Sequence, residues 1–166
     1  PVSNWGVFSD DKLISVASSI NYLMRYENRD VPMSGIQGVA TLPEHRRRGA
    51  IRLLLRELLV SERKRGSVFS YLHPFSYSYY LRFGYGYGVS RLRTTVPVAL
   101  LREFKPEGSM RLAEMADLEI INRIYRHFIA GTNGPVQRGR DSWQRYLGKD
   151  PYISGCLPYI WADTSG

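Results

Sequence analysis

The segment from Val39 to Lys64 limits the fold more than any other part of the chain, because it joins a strand to a helix through a charged, glycine-containing turn. The run Met33 to Leu42 is apolar and β-branched in its second half and stops at Pro43, which has no N–H to give a sheet ladder. From Ile51 to Lys64, residues Ile51, Leu54, Leu55, Leu58 and Leu59 recur at three- and four-residue spacing, while Arg52, Arg56, Glu57, Arg63 and Lys64 lie mainly on other faces. That spacing predicts an amphipathic helix buried along its leucine stripe, with Gly66 as its stop signal. Between strand and helix stands Pro43-Glu44-His45-Arg46-Arg47-Arg48-Gly49. A helix that opens from such a turn presents several free backbone N–H groups at the positive end of its dipole, an arrangement suited to a pyrophosphate. Gly49 permits close approach of the backbone, and Arg47, Arg48 and Arg52 add charge from the rim. The same residues also fit a solvated basic loop ahead of an ordinary surface helix.

The elements around this segment follow from alternation and turn chemistry. Trp5–Phe8 and Leu13–Tyr26 read as antiparallel strands joined by a turn at Ser9-Asp10-Asp11-Lys12. Within Leu13–Met24, one face carries Leu13, Ser15, Ala17, Ser19 and Asn21, and the other Ile14, Val16, Ser18, Ile20 and Tyr22, so the second is the strongly apolar side. Val68–Leu72 reads as a short strand and Pro74–Leu81 as a short helix or turn rich in aromatics. Gly84-Tyr85-Gly86-Tyr87-Gly88 then breaks helix and allows a bulge or a close backbone approach. Alternation returns from Val89 to Phe104, and Lys105-Pro106-Glu107-Gly108 reads as a linker. Beyond it come a strand at Met110–Leu112, a helix over Asp117–Phe128, a second helix over Asp141–Leu147 and a strand at Tyr159–Ala162. Asp163-Thr164-Ser165-Gly166 reads as a hairpin turn, which makes the second half an unfinished domain. The division expected is residues 1–90 and 91–166, an α/β (α+β) arrangement with no internal repeat.

Composition sets the remaining bounds. A chain of 166 residues that is 43% hydrophobic and 13% aromatic can bury a core, which excludes a disordered, highly charged polypeptide. The formal charge of +8 favours anionic partners: phosphorylated small molecules, nucleic acid or anionic lipid. Cys156 is the single cysteine, so an intrachain disulfide is excluded and a cytoplasmic location is expected. No apolar run approaches the roughly 18 residues that span a bilayer, so no membrane partner is expected. His45, His73 and His127 show no metal-ligand spacing, and no metal is expected.

The strand, the Pro-x-His-Arg-Arg-Arg-Gly turn and the following helix resemble the acetyl-CoA-binding motif of the GNAT superfamily of N-acetyltransferases, and especially its Eis-like branch. A second signature of that branch stands at Tyr79-Tyr80-Leu81-Arg82-Phe83-Gly84-Tyr85-Gly86. Met110-Arg111-Leu112, the Ile120–Tyr125 helix and the Gly134-Pro135 to Trp143 stretch are similar to the opening of that branch's second, non-catalytic GNAT-like domain. The resemblance implies a GNAT fold, a mixed and mostly antiparallel twisted sheet flanked by helices, whose amino-terminal strand and helices fall outside residues 1–166. It implies that Val39, Ala40 and Thr41 splay from the neighbouring strand and pair with the pantetheine arm, and that Arg47, Arg48, Gly49, Ala50, Ile51 and Arg52 hold the pyrophosphate. Phe75 and Ser76 fall beside the cofactor, and Tyr80 matches the tyrosine that serves as general acid. Ile51 departs from the superfamily's preference for a small residue and agrees with the Eis-like branch.

The activity so implied is transfer of acetyl from acetyl-CoA to primary amines of a cationic small molecule of aminoglycoside type or of lysine, in a homo-oligomer, a hexamer in that branch. Met33–Leu42 holds no carboxylate. The family's base is a C-terminal carboxylate outside this chain. Two alternatives use the same residues. A GNAT-like scaffold would bind acyl-CoA without catalysis. A nucleic-acid module would use Arg46–Arg48, Arg52, Arg56 and Arg63–Arg65, but no helix-turn-helix, zinc-finger or RNP signature accompanies them, so no nucleic-acid partner is expected.

Overall fold

The computed structural model describes residues 2–90, 92–102, 107–149, 153, 155 and 157–164. Two compact units divide the chain: Pro1–Ser90 with Gly131–Gln137, and Arg91–Ala130 with Arg138–Gly166.

In the first unit, strands β1 (Val2–Ser9), β2 (Lys12–Tyr26), β3 (Arg29–Thr41) and β4 (Phe69–Leu72) form one sheet in chain order. The first two hairpins close through tight turns in which both central residues take positive φ, Asp10 and Asp11 at 47° and 64°, then Glu27 and Asn28 at 47° and 60°. Asp and Asn tolerate that backbone region better than most residues, and its twist matches that of the flanking strands. β4 adds parallel to β3, and a parallel pair needs a crossover, here helix α1 (Ala50–Lys64). The helix ends as its glycine foretells. Gly66 at φ 96° lets its N–H reach the Arg63 carbonyl at 3.0 Å and the Ser67 N–H reach the Glu62 carbonyl at 3.0 Å.

The core lies between this helix and one face of the sheet. Ala17, Ile36, Leu54, Leu55, Leu58 and Tyr80 form its buried cluster. The leucine stripe is therefore as expected, but the face of β2 that meets it is the other one. Ser15, Ala17 and Ser19 are 1–2% exposed, whereas Val16, Ser18, Ile20 and Tyr22 are only half-buried. Bulky leucines on the helix leave room only for small residues beneath them, so close packing selects the Ser/Ala face. Ile14, also counted on the apolar side, is buried at 8%.

The stripe ends on a charge. Glu62 is 1% exposed, and its Oε1 accepts from the Ser19 hydroxyl at 2.9 Å and from Arg65 Nη1 at 3.1 Å. Ser19 Oγ in turn accepts from Trp5 Nε1 at 3.2 Å, and Arg65 also donates to Ser3 Oγ at 3.0 Å.

Residues 131–137 belong to the first unit because they run along the edge of β2 beyond the end of β1. Arg25 N–H donates to the Pro135 carbonyl at 2.8 Å, Gly134 N–H to the Arg25 carbonyl at 2.8 Å and Gln137 N–H to the Leu23 carbonyl at 2.7 Å. Asn133 Oδ1 accepts from the Glu27 N–H at 2.7 Å, and Gln137 Nε2 donates to Asp30 at 3.0 Å.

The second unit holds β5 (Ser109–Leu112) paired antiparallel with β6 (Tyr159–Ala162), and helices α3 (Leu118–Ile129) and α4 (Arg140–Leu147). Arg111 grips Asp117 through two bonds of 2.6 Å, and Asp117 Oδ2 accepts from the Glu114 N–H, closing a capping box ahead of α3. On α3, Leu118 and Ile129 are buried, but Ile124 and Phe128 of the expected apolar stripe stay 55% and 77% exposed.

The strand expected from Val89 to Phe104 does not form over its described part. Residues 89–90 and 92–97 carry no regular structure, and a short 3-10 turn occupies Val98–Leu101. Val89, Leu92, Val98 and Leu100 are 70–89% exposed, because alternation makes a strand only where a partner strand receives it and Pro97 removes a donor. Residues 103–106, with the first half of the expected linker, lie outside the described residues, as do Cys156 and the last two positions of the expected terminal turn.

Candidate active site

Two features set the end of β3 apart from its neighbours. Its parallel pairing with β4 runs only from Met33 opposite Phe69 to Ile36 opposite Leu72. After Leu72 the chain leaves at His73-Pro74, so Gln37–Thr41 has no neighbour on that side among the described residues. On the other side, the register with β2 slips between Val16 opposite Ala40 and Ser18 opposite Gln37, so that Gly38 and Val39 together face Ala17. This is a β-bulge, and Gly38 at φ 63° is the residue that allows it. A Cβ on Gly38 would meet nothing within 4 Å, so backbone conformation, not space, selects glycine there. The parallel pairing thus stops short of Val39, Ala40 and Thr41, and the bulge beside them went unread in the sequence, although a glycine inside a strand is itself a bulge signal. Val39 packs on the core and Thr41 Oγ1 lies 2.9 Å from Ser15 Oγ, which fixes the inner side of this strand end.

The turn that follows exposes basic side chains and backbone N–H groups. Arg46 is engaged within the protein, its Nε donating to the Thr41 carbonyl at 3.3 Å. Backbone φ is positive at Arg47 (61°) and Gly49 (84°), with Arg48 on the ordinary side between them. Such alternation curls successive N–H groups toward one concavity. Gly49 is also the N-cap of α1 and gives no side-chain cap, so the N–H groups of the first turn, Gly49 to Arg52, point out of the helix without an intrahelical acceptor. Arg47, Arg48 and Arg52 are exposed around it, while Ala50 is half-buried and Ile51 turns inward onto the core. A large apolar residue at position 51 thus helps to anchor the helix and does not obstruct its mouth. Glu44, the one carboxylate of the turn, pairs with Lys12 at 3.0 Å.

Tyr80 lies on α2 (Tyr77–Leu81), whose N-cap is Ser76, its Oγ accepting from the Tyr79 N–H at 3.4 Å. Ser76, expected beside the cofactor, thus serves the start of the helix. Phe75 is 73% exposed, with its ring 5.1 Å from Tyr79 and 5.5 Å from Tyr80. Tyr80 itself is 5% exposed and belongs to the same buried cluster as Ile36 and the α1 leucines, so one core sets the position of helix, strand and phenol together. Its hydroxyl has no hydrogen-bond partner among the described residues and is not sealed from solvent. Burial, and then the neighbouring Tyr79, push its pKa above the usual tyrosine value, so the phenol is protonated at neutral pH. Of the other tyrosines in the region, Tyr85 is also raised by burial, but its hydroxyl is engaged with Ser70 Oγ at 2.8 Å.

An open strand edge, a bulge, a basic helix start and a buried phenol thus occur together in the first unit. The chain belongs to the acetyltransferase (GNAT) domain family, whose model matches residues 2–88. A curated relative from Streptomyces avermitilis, an uncharacterized N-acetyltransferase, is 30% identical over 152 residues, which is 88% of this chain and 37% of the relative. Among solved structures, a GCN5-related N-acetyltransferase from Kribbella flavida is 28% identical with a TM-score of 0.76, over 95% of this chain and 41% of that one. Eis1 from Mycobacterium abscessus shares the fold with a TM-score of 0.66 at 23% identity, over 98% of this chain and 42% of that one. The chain therefore spans less than half the length of these relatives.

No group of three or more His, Cys, Asp or Glu among the described residues could hold a metal ion. No described helix is long and apolar enough to cross a membrane.

Proposed function

We propose that this chain carries the acetyl-CoA site and the acid of an N-acetyltransferase of the Eis-like branch, acting on primary amines of a cationic small molecule of aminoglycoside type or of lysine. The observation that carries the reading is the unpartnered Tyr80 hydroxyl, set in the core cluster that also fixes β3 and α1. The open edge at Gln37–Thr41 offers backbone groups to the amides of a pantetheine arm, and the concavity at Arg47–Arg52 suits its pyrophosphate. With the thioester so placed, a neutral amine attacks the carbonyl carbon. A C–N bond forms, the carbonyl oxygen becomes an oxyanion, and backbone N–H groups on the splayed edge stabilise it. Collapse breaks the C–S bond, and the departing thiolate takes the Tyr80 proton.

The amine's own proton needs a separate acceptor. Among the described carboxylates of the first unit, Asp10, Asp11 and Glu27 stand in the hairpin turns, Asp30 is paired with Arg25 at 3.2 Å, Glu44 with Lys12 and Glu57 with Arg56 at 4.0 Å, and Glu62 is buried on the inner face of α1. A base supplied from another part of the protein accords with this, and the branch's C-terminal carboxylate is the one we propose.

Release of thiol from acetyl-CoA by the full-length protein, with spermidine, kanamycin and an Nα-blocked lysine as acceptors, tests the reading. Tyr80→Phe should lower turnover by about 10²-fold or more, the usual worth of a positioned acid, with acetyl-CoA affinity nearly unchanged. A wild-type rate for that variant would remove Tyr80 from the mechanism. Binding of acetyl-CoA without thiol release toward any amine would favour a non-catalytic scaffold.

A further inference from the structure

The Gly84-Tyr85-Gly86 segment returns over Tyr80 and is tied down on its far side. Gly84 takes φ 86°, which turns the chain just after α2. The Phe83 N–H reaches the Tyr80 carbonyl at 2.9 Å, and the Gly84 N–H reaches that of Leu81 at 3.2 Å. Tyr85 then meets Tyr80 edge to face, with ring centroids 6.0 Å apart and planes at 79°. Tyr79 and Phe75 meet Tyr80 at 5.2 Å and 5.5 Å, at 86° and 69°. Of these neighbours, Phe75 is 73% exposed and Tyr79 is itself propped by Phe83 and Arg82, all close in sequence. Tyr85 alone among the three forms a hydrogen bond to the sheet, its hydroxyl 2.8 Å from Ser70 Oγ on β4. Ser70 stands opposite Ser34 of β3, in the short parallel pairing that stops before Gln37–Thr41.

We infer that Tyr85 is a positioning residue, which through its bond to Ser70 fixes the Tyr80 ring relative to the strand pair that receives the thioester. The inference rests on Tyr80 as the proton donor. Edge-to-face contacts are directional, so a ring anchored at its far end restricts both tilt and translation of the ring it meets. A donor must lie within hydrogen-bond reach of the atom it serves, and displacements well under an ångström already weaken it. The Ser70 bond also holds the Tyr85 hydroxyl away from competition for the proton transfer.

The test compares Tyr85→Phe, Ser70→Ala, Tyr80→Phe and the double variant Tyr80→Phe/Tyr85→Phe in the full-length protein, by thiol release from acetyl-CoA with the best of the three acceptors. Phenylalanine keeps the ring and removes only the hydroxyl bond. Tyr85→Phe should lower kcat about 5- to 10-fold, the loss of one hydrogen bond, with KM for acetyl-CoA within about twofold of wild type. Ser70→Ala should reproduce that split, and the double variant should be no slower than Tyr80→Phe, because Tyr85 acts only through Tyr80. A slow Tyr80→Phe together with a wild-type Tyr85→Phe, or additive losses in the double variant, would overturn this inference and leave Tyr80 as the acid. A wild-type Tyr80→Phe would overturn both. A Tyr85→Phe that raises KM and lowers the melting temperature in step with kcat would assign Tyr85 to packing alone.

Discussion

Glycines at positive φ and one buried phenol carry most of the site at the scale of single residues. Gly38 and Gly49 face open space, so a larger side chain there is opposed by backbone strain, not by collision. Gly38→Val should cost about 1–2 kcal/mol of stability, the usual penalty of the left-handed region for a side chain with a Cβ. By relaxing the bulge it should also raise KM for acetyl-CoA, which urea denaturation and steady-state kinetics would read separately. For Tyr80, a pKa displaced upward by burial and by Tyr79 keeps the acid protonated through the ordinary range. The falling limb of the pH–rate profile should therefore lie above the unperturbed tyrosine value near 10, while the rising limb follows deprotonation of the acceptor amine. In the second unit, Arg111 and then the Glu114 N–H hold the Asp117 carboxyl down at about 2, against an ordinary value of 3.8. A depressed carboxylate stabilises above its unfolded pKa and loses that contribution as pH falls through its folded one. Asp117→Asn should be less stable than wild type at pH 7, and denaturation midpoints of the two should converge as pH falls from about 4 to about 2.

The elements were legible where local chemistry decides them. Asp10 and Asp11 mark a hairpin, Gly66 ends a helix, and a leucine every three or four residues buries one face of α1. Replacing Gly66 by Ala should cost about 1 kcal/mol, because the capping bonds depend on its φ of 96°. What the sequence hid depends on partners distant along the chain. The small face of β2 is buried because α1 brings the bulk, which alternation within β2 cannot show. Glu62 continues the leucine stripe at helical spacing, and its carboxylate is accepted in the core because Ser19 and Arg65 both reach it. Glu62→Ala removes the acceptor of both and should destabilise by about 1–3 kcal/mol, measured by urea unfolding. Val89–Leu101 fails the other way, since its alternation finds no strand to join among the described residues.

Across the molecule, long-range ties join parts that the sequence separates. Residues 131–137 return to β2 and occupy an edge that the shorter β1 leaves uncovered. Hydrogen exchange should show the Arg25 and Glu27 amides protected although they lie at a hairpin tip, and Asn133→Ala should speed exchange at Glu27 without changing Arg25. In the proposed site, local sequence already marks the strand–turn–helix segment, with Pro43 ending the strand and the leucine spacing setting the helix. The shared core that sets Tyr80 beside β3 and α1 arises only from tertiary packing. A crystal structure of the full-length protein with coenzyme A bound tests the central claim most directly. The account places pyrophosphate oxygens at roughly 2.7–3.2 Å from backbone N–H groups between Gly49 and Arg52, the pantetheine along Gln37–Thr41, and the thiol within reach of the Tyr80 hydroxyl. Coenzyme A seated elsewhere, or a thiol remote from Tyr80, would contradict it.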